Sequence, residues 1–214
     1  MRPDNLPLVV AILPLEEPLL LPGTVVPFDA DEEWLQSLSL DVLGNEGYVG
    51  VIQVMEPEPG MDDDEDATLF TVGCLGRMEV GRPENPDEYL VGGLIRFRVV
   101  EWLEPANGYP RAKIDWMEFV DDLQEIETGL PFSALRQIVR ERVETHHPDF
   151  DFSVMERMAG TEIATALAHA LPFSAAERQA IMEAPSLRDI EELLLQLMSG
   201  PGPLRFDFPP LPVC

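Results

Sequence analysis

Up to about residue 120 the apolar residues fall in short runs broken by Gly and Pro, whereas from about 131 to 198 they recur at helical spacing. The first pattern predicts strands over 8–15, 25–28, 48–55, 69–80, 89–103 and 111–119. In the fifth of these, strict alternation puts Ile95, Phe97 and Val99 on one face and Arg96 and Arg98 on the other, the pattern of a half-buried strand. Between the second and third, Trp34, Leu35, Leu38 and Val42 stand near helical spacing and predict one short helix over 31–43.

The second pattern carries its own punctuation. Ser153 with Glu156, Ser174 with Glu177 and Ser186 with Asp189 each set a hydroxyl three residues before an acid, the spacing that satisfies orphan amides at a helix start. A further helix begins near Pro131, carries Leu135, Ile138, Val139 and Val143 on one stripe, and is stopped by His146-His147-Pro148. Met155, Met158, Ala159, Ile163 and Leu167 supply the stripe of the next helix, and Leu187, Ile190, Leu193, Leu194 and Leu197 that of the last. Connections this short predict a compact helical bundle. The whole is an α+β layout: a β-rich lobe over 1–121, a helical lobe over 122–199 and a Pro-rich tail over 200–214.

Length and composition suit one domain or two intimate lobes, since 214 residues with 45% hydrophobic content bury roughly 70% of the surface of the unfolded chain. The N-terminal stretch lacks a basic region leading into an uninterrupted apolar one, and no window approaches a membrane span, so neither a signal peptide nor a membrane partner is expected. Two cysteines, Cys74 and Cys214, are too few for a disulfide framework and fit a reducing cytoplasm. The 40 acidic residues stand against 14 basic ones, a formal charge of −26, and argue against a nucleic-acid partner, whose phosphates require clustered Lys and Arg. The acidity is densest in a loop over 56–66.

Catalytic and metal chemistry find little support. A phosphate-cradling loop needs Gly-Lys followed by Ser or Thr, and the single lysine, Lys113, is preceded by Ala112 and followed by Ile114. The same residue, on a strand, is a poor partner for a serine–lysine dyad. Asp62, Asp64 and Asp66 share spacing with the first half of a calcium loop, but Ala67 stands where its glycine belongs and Gly73 where its bidentate acid belongs. His146, His147 and Asp149 lie together, yet adjacent helical histidines diverge by about 100° and Pro148 breaks the helix. No catalytic residue, cofactor or metal is assigned.

The order of several short blocks resembles the N-terminal domain of the LON family. Leu13-Pro14-Leu15 and Leu21-Pro22-Gly23 leading into Val26-Pro27-Phe28 are similar to its opening signature, and Gly50-Val51-Ile52 to its third strand. Val72-Gly73-Cys74-Leu75-Gly76-Arg77-Met78 resembles its Val-Gly-Thr strand, and Gly93-Leu94-Ile95-Arg96-Phe97-Arg98-Val99 its Gly-x-x-Arg-Phe-Arg-Ile block. Leu171-Pro172-Phe173-Ser174, with Glu177, Arg178, Gln179, Met182, Glu183 and Ala184, is similar to its terminal helix pair. The resemblance covers 8–198. It departs at Asp29 to Trp34, where the family has Phe-Glu-x-Arg-Tyr, and it has no counterpart for the acidic loop or the tail.

What the resemblance implies is a PUA-like, twisted antiparallel β-sheet or pseudo-barrel followed by a helical bundle, and a non-catalytic module that recognises unfolded or degron-bearing polypeptides, alone or with a protease partner. A hydrolase built on clustered carboxylates and a pure interaction domain stay open as alternatives. A binder of many chains needs an open apolar surface with aromatic residues. The candidates for peptide contact are Trp34, Trp102, Trp116, Phe119 and Phe132, expected to line a groove where the lobes meet.

Overall fold

The structure, a computed structural model, describes residues 6–55, 68–85, 87–146 and 152–199, apart from the side chains of 142–146 and 154. The acidic loop 56–66 with its calcium-like aspartates, the tail 200–214, the side chains of Val143 and His146, and His147, Pro148 and Asp149 lie outside the described residues.

Six strands form one mixed sheet: β1 (Val9–Leu15), β2 (Val25–Asp29), β3 (Tyr48–Gln53), β4 (Val72–Val80), β5 (Glu88–Ala106) and β6 (Tyr109–Asp115). β1 pairs β3 and β6, β3 pairs β4, β4 pairs β5, and β5 pairs β6, so five strands close into a barrel. Closure hides the strand edges that an open sheet leaves unpaired. The sheet differs from the antiparallel expectation in one pair: β1 and β3 run parallel, because the connection between them crosses over through β2 and the helix α1 (Glu33–Gly44).

β5 is 19 residues long and does two jobs. β4 lies along one of its edges, while the opposite edge is taken by β2 at Glu88 to Gly92 and by β6 from Arg98 onward. A straight strand of that length would overrun the barrel by far, at about 3.3 Å per residue. Register shifts at Leu75/Gly76 and Val99/Glu101 let it bend around. Inside, Phe97 fills the barrel beside Gly50 and Gly73; a Cβ on Gly73 would stand 2.3 Å from the Val51 carbonyl oxygen and 3.1 Å from the Phe97 ring.

Seven α-helices occur among the described residues. After α1 come α2 (Asp121–Thr128), α3 (Ser133–His146), α4 (Ser153–Arg157), α5 (Gly160–Ala170), α6 (Ala175–Met182) and α7 (Asp189–Met198). Ser174 caps α6, and Ser186 exchanges bonds with Asp189 at the turn that opens α7, as their spacing predicts. The single helix expected over the Met155 to Leu167 stripe is two helices, because the chain turns extended at Met158 and Ala159 before α5 begins. α2 has no forecast in the apolar pattern. The expected strand over 111–119 ends at Asp115 and continues as a single tight turn, Met117–Phe119. α7 packs against α3, α5 and α6, and one cluster of buried apolar side chains runs from the barrel into these helices. No helix of the described residues is long and apolar enough to cross a membrane.

Candidate functional site

The turn between β5 and β6 is Asn107-Gly108, both with positive φ, 49° and 86°. That pairing is the tight hairpin turn Asn-Gly favours, because its twist matches that of the flanking strands. It lays the hairpin tip across α1: a Cβ on Gly108 would touch the Cβ of Trp34 at 3.5 Å. Two turns along α1, Asp41 receives the tip. The Asn107 side-chain amide and the Tyr109 hydroxyl both donate to Asp41 Oδ2, at 2.7 and 2.8 Å. Oδ1 of the same carboxylate accepts no hydrogen bond among the described residues.

Beside this junction opens a cleft of about 360 Å³ between the C-terminal end of α1 and the strands β1 and β6. Its apolar wall includes Pro7, Val9, Val10, Val42 and Ala106. Asp41, Asn45, Glu46, Tyr48, Tyr109 and Arg111 supply the polar rim. The bond from Asn107 first, and that from Tyr109 second, hold the Asp41 carboxyl below the usual carboxylate range. The Tyr109 hydroxyl is pushed up, mostly by burial and then by its bond to Asp41. α1 ends at this cleft with no basic residue in its last turn, so the negative end of its dipole faces the rim without a cation of its own.

The five aromatic candidates are not brought together. Trp116, Phe119 and Phe132 are buried in the apolar core, at 8%, 4% and 2% exposure. Phe119 lies under the Arg96 guanidinium, 4.6 Å from its ring centre, and Phe132 is pressed on Gly160. Trp34 is half-buried, with its indole nitrogen donating to Glu32 at 2.7 Å. Trp102, opposite Ala112 on β6, is 43% exposed. Sequence reasoning missed Asp41, Tyr109 and Arg111. The Asn-Gly pair is the one signal that points to them; Asp41 itself is indistinguishable from the other acids.

Arg96 also departs from its expected place on an open strand face. It is fully buried, and its guanidinium donates to both Asp122 oxygens, at 2.9 and 2.7 Å, and to the carbonyls of Met182 and Ala184. The face that alternation assigned to Arg96 is covered here by α2 and by the end of α6. Among the described residues no group of three or more metal-ligating side chains occurs.

Comparison with known proteins gives this architecture its relatives. Residues 9–200 match the model of the ATP-dependent protease La (LON) substrate-binding domain. The chain is 27% identical over 205 residues to Lon protease 2 of Myxococcus xanthus and 26% identical over 205 residues to the Lon protease of Anaeromyxobacter dehalogenans. Each match takes in 92% of this chain and 24% of the relative, so the chain spans about a quarter of those proteins. Among solved structures, the N-terminal domain of the Mycobacterium avium complex Lon protease superposes with a TM-score of 0.63 at 14% identity, covering 91% of this chain and 100% of that one. The Lon N-terminal domain protein from Xanthomonas campestris superposes with a TM-score of 0.56 at 19% identity, covering 89% and 97%. With its family model matched over most of its length and its fold shared with these structures, the chain belongs to the LON substrate-binding domain family.

Proposed function

We propose that this chain is a non-catalytic recognition module for unfolded or degron-bearing polypeptide segments, acting alone or delivering them to a protease partner. The observation that carries the reading is the match of residues 9–200 to the substrate-binding part, and not the motor or peptidase part, of ATP-dependent protease La. A surface suited to varied chains is largely open and apolar, with adaptable residues. Leu8 and Val9 at the start of β1, Val100 at the bulge of β5, Trp102, and Met117 just past β6 are exposed on neighbouring strands. Trp34 adds an aromatic edge beside the hairpin tip. A chain of net charge −26 favours basic, apolar segments over acidic ones through complementary potential.

The test is a titration of unstructured peptides of opposite charge against the wild-type chain and Trp34→Ala. Basic apolar peptides are expected to bind more tightly than acidic ones. Equal binding of both classes, or none even at millimolar peptide, overturns the reading. Unchanged affinity in Trp34→Ala removes that side chain from the site.

A further inference from the structure

We infer that the cleft at the C-terminal end of α1 holds a basic side chain, arginine or lysine, presented by an otherwise apolar peptide segment. The inference rests on the polypeptide-recognition reading and names the part of the segment that is read. Ligand pockets in proteins commonly enclose about 300 to 1,000 Å³. At about 360 Å³ the cleft is at the small end, matched to one long side chain rather than to a folded partner. Val9, Val42 and Ala106 offer apolar surface for an aliphatic stem, the part of Lys and Arg that packs against such walls while the charged head seeks polar company.

That polar company is already built. Asp41 is immobilised through one oxygen by Asn107 and Tyr109, leaves the other oxygen open to a donor, and is kept ionised by the same bonds. Glu46 lines the same cleft, and the unbalanced helix end adds a partial negative charge. Arg111 on β6 is the one cation on the rim among the described residues, and it opposes a basic guest. Two carboxylates and a helix end outweigh it, and the charge of the whole chain adds to their side. An acidic guest held by Arg111 would require the reverse balance.

The opposed charges make the idea testable by sign. The full chain is titrated with N-acetyl-arginine amide, and with the norleucine and glutamate counterparts, while backbone amide resonances are followed. The arginine compound is expected to shift resonances at 41–48 and 106–111, and the other two to leave them in place. Glu46→Gln and Asp41→Asn should each weaken it about three- to tenfold, and Arg111→Gln should tighten it by a similar factor, as expected for single charges a few ångströms away at the surface. Because Asp41 also anchors the hairpin, Glu46→Gln is the decisive variant: Glu46 is exposed and its side chain has no hydrogen bond among the described residues. Equal affinity for the arginine and norleucine compounds, tighter binding of the glutamate compound that Arg111→Gln abolishes, or no shifts at the cleft would each overturn the proposal. Unstructured basic peptides that bind wild type and Glu46→Gln alike would remove the cleft and leave polypeptide recognition standing. The arginine compound seated in the cleft while no unstructured peptide binds would support the cation site and overturn the broader reading.

Discussion

Glu88 opens β5 with its carboxylate turned against Arg82, whose backbone amide donates at 3.1 Å and whose guanidinium donates at 3.0 and 2.7 Å. The side-chain bond first, and the amide bond next, bring the Glu88 carboxyl down from 4.5 to about 2. A carboxyl depressed by folding contributes stability that is fully present above its ordinary value and is lost as pH falls through the folded one. For Glu88 that window runs from 4.5 down to about 2. Glu88→Gln should therefore lower stability at neutral pH and flatten part of the loss across that window, as read from urea unfolding at a series of pH values. Parallel acid limbs in variant and wild type would show that the Arg82 pair contributes nothing to folding. Cys74 follows the opposite logic, since burial first and the charge of Asp122 second push its thiol up and keep it protonated. Neither behaviour is legible in the chain alone: Arg82 is only six residues from Glu88, but it is the turn opening β5 that brings them together, and Cys74 takes its titration from burial and from Asp122, distant in sequence.

At the scale of elements, the decisive contact is where α2 meets β5. Between the stretches paired to β2 and to β6, β5 has an edge that no strand occupies, and there the amide of Arg96 donates to Asp122 at 3.1 Å. The same carboxylate takes the guanidinium, and the carbonyls ending α6 take the remaining donors. One buried ion pair thus completes a strand edge and fastens two helices to the barrel. Removing one member of such a pair strands the other charge in the core and costs about 3 to 5 kcal/mol. Asp122→Ala should lose that much stability in denaturant unfolding at neutral pH, and a loss below about 1 kcal/mol would mean that water or another acid replaces Asp122. Alternation along the strand separates Arg96 from Phe97, but it says nothing about what covers the arginine face. The short α2 segment, half of it acidic and with only Leu123 and Ile126 apolar, gave no sign that it would.

For the whole molecule, the charge of −26 is a uniform load on the compact state. Ionic screening shortens the reach of that repulsion from about 30 Å at 0.01 M salt to about 10 Å at 0.1 M. Thermal stability should accordingly rise as salt goes from low to moderate concentration, measured by the melting temperature at fixed pH. A flat or falling melting temperature would show that paired charges, such as Arg98 with Glu118 and Arg188 with Glu125, outweigh the net repulsion. The same screening should weaken a basic peptide at the acidic surface, so stability and binding are expected to move in opposite directions with salt.

What the sequence determined by itself is what local physics can encode: the change from strand to helix spacing, the cap at Ser174 and the Ser186–Asp189 turn, the inward face of Ile95 and Phe97, and an order of motifs that resembles one family. The closure of five strands, the parallel run of β1 beside β3, and the burial of Arg96 were decided only in three dimensions. So was the candidate site. Asp41 is far in the chain from Tyr109 and Arg111 and all three are unremarkable in type; they meet because the hairpin tip folds onto α1. Periodicity reports which side of an element prefers water, whereas the identity of the element that arrives on the other side depends on contacts between residues tens of positions apart, which no local pattern carries.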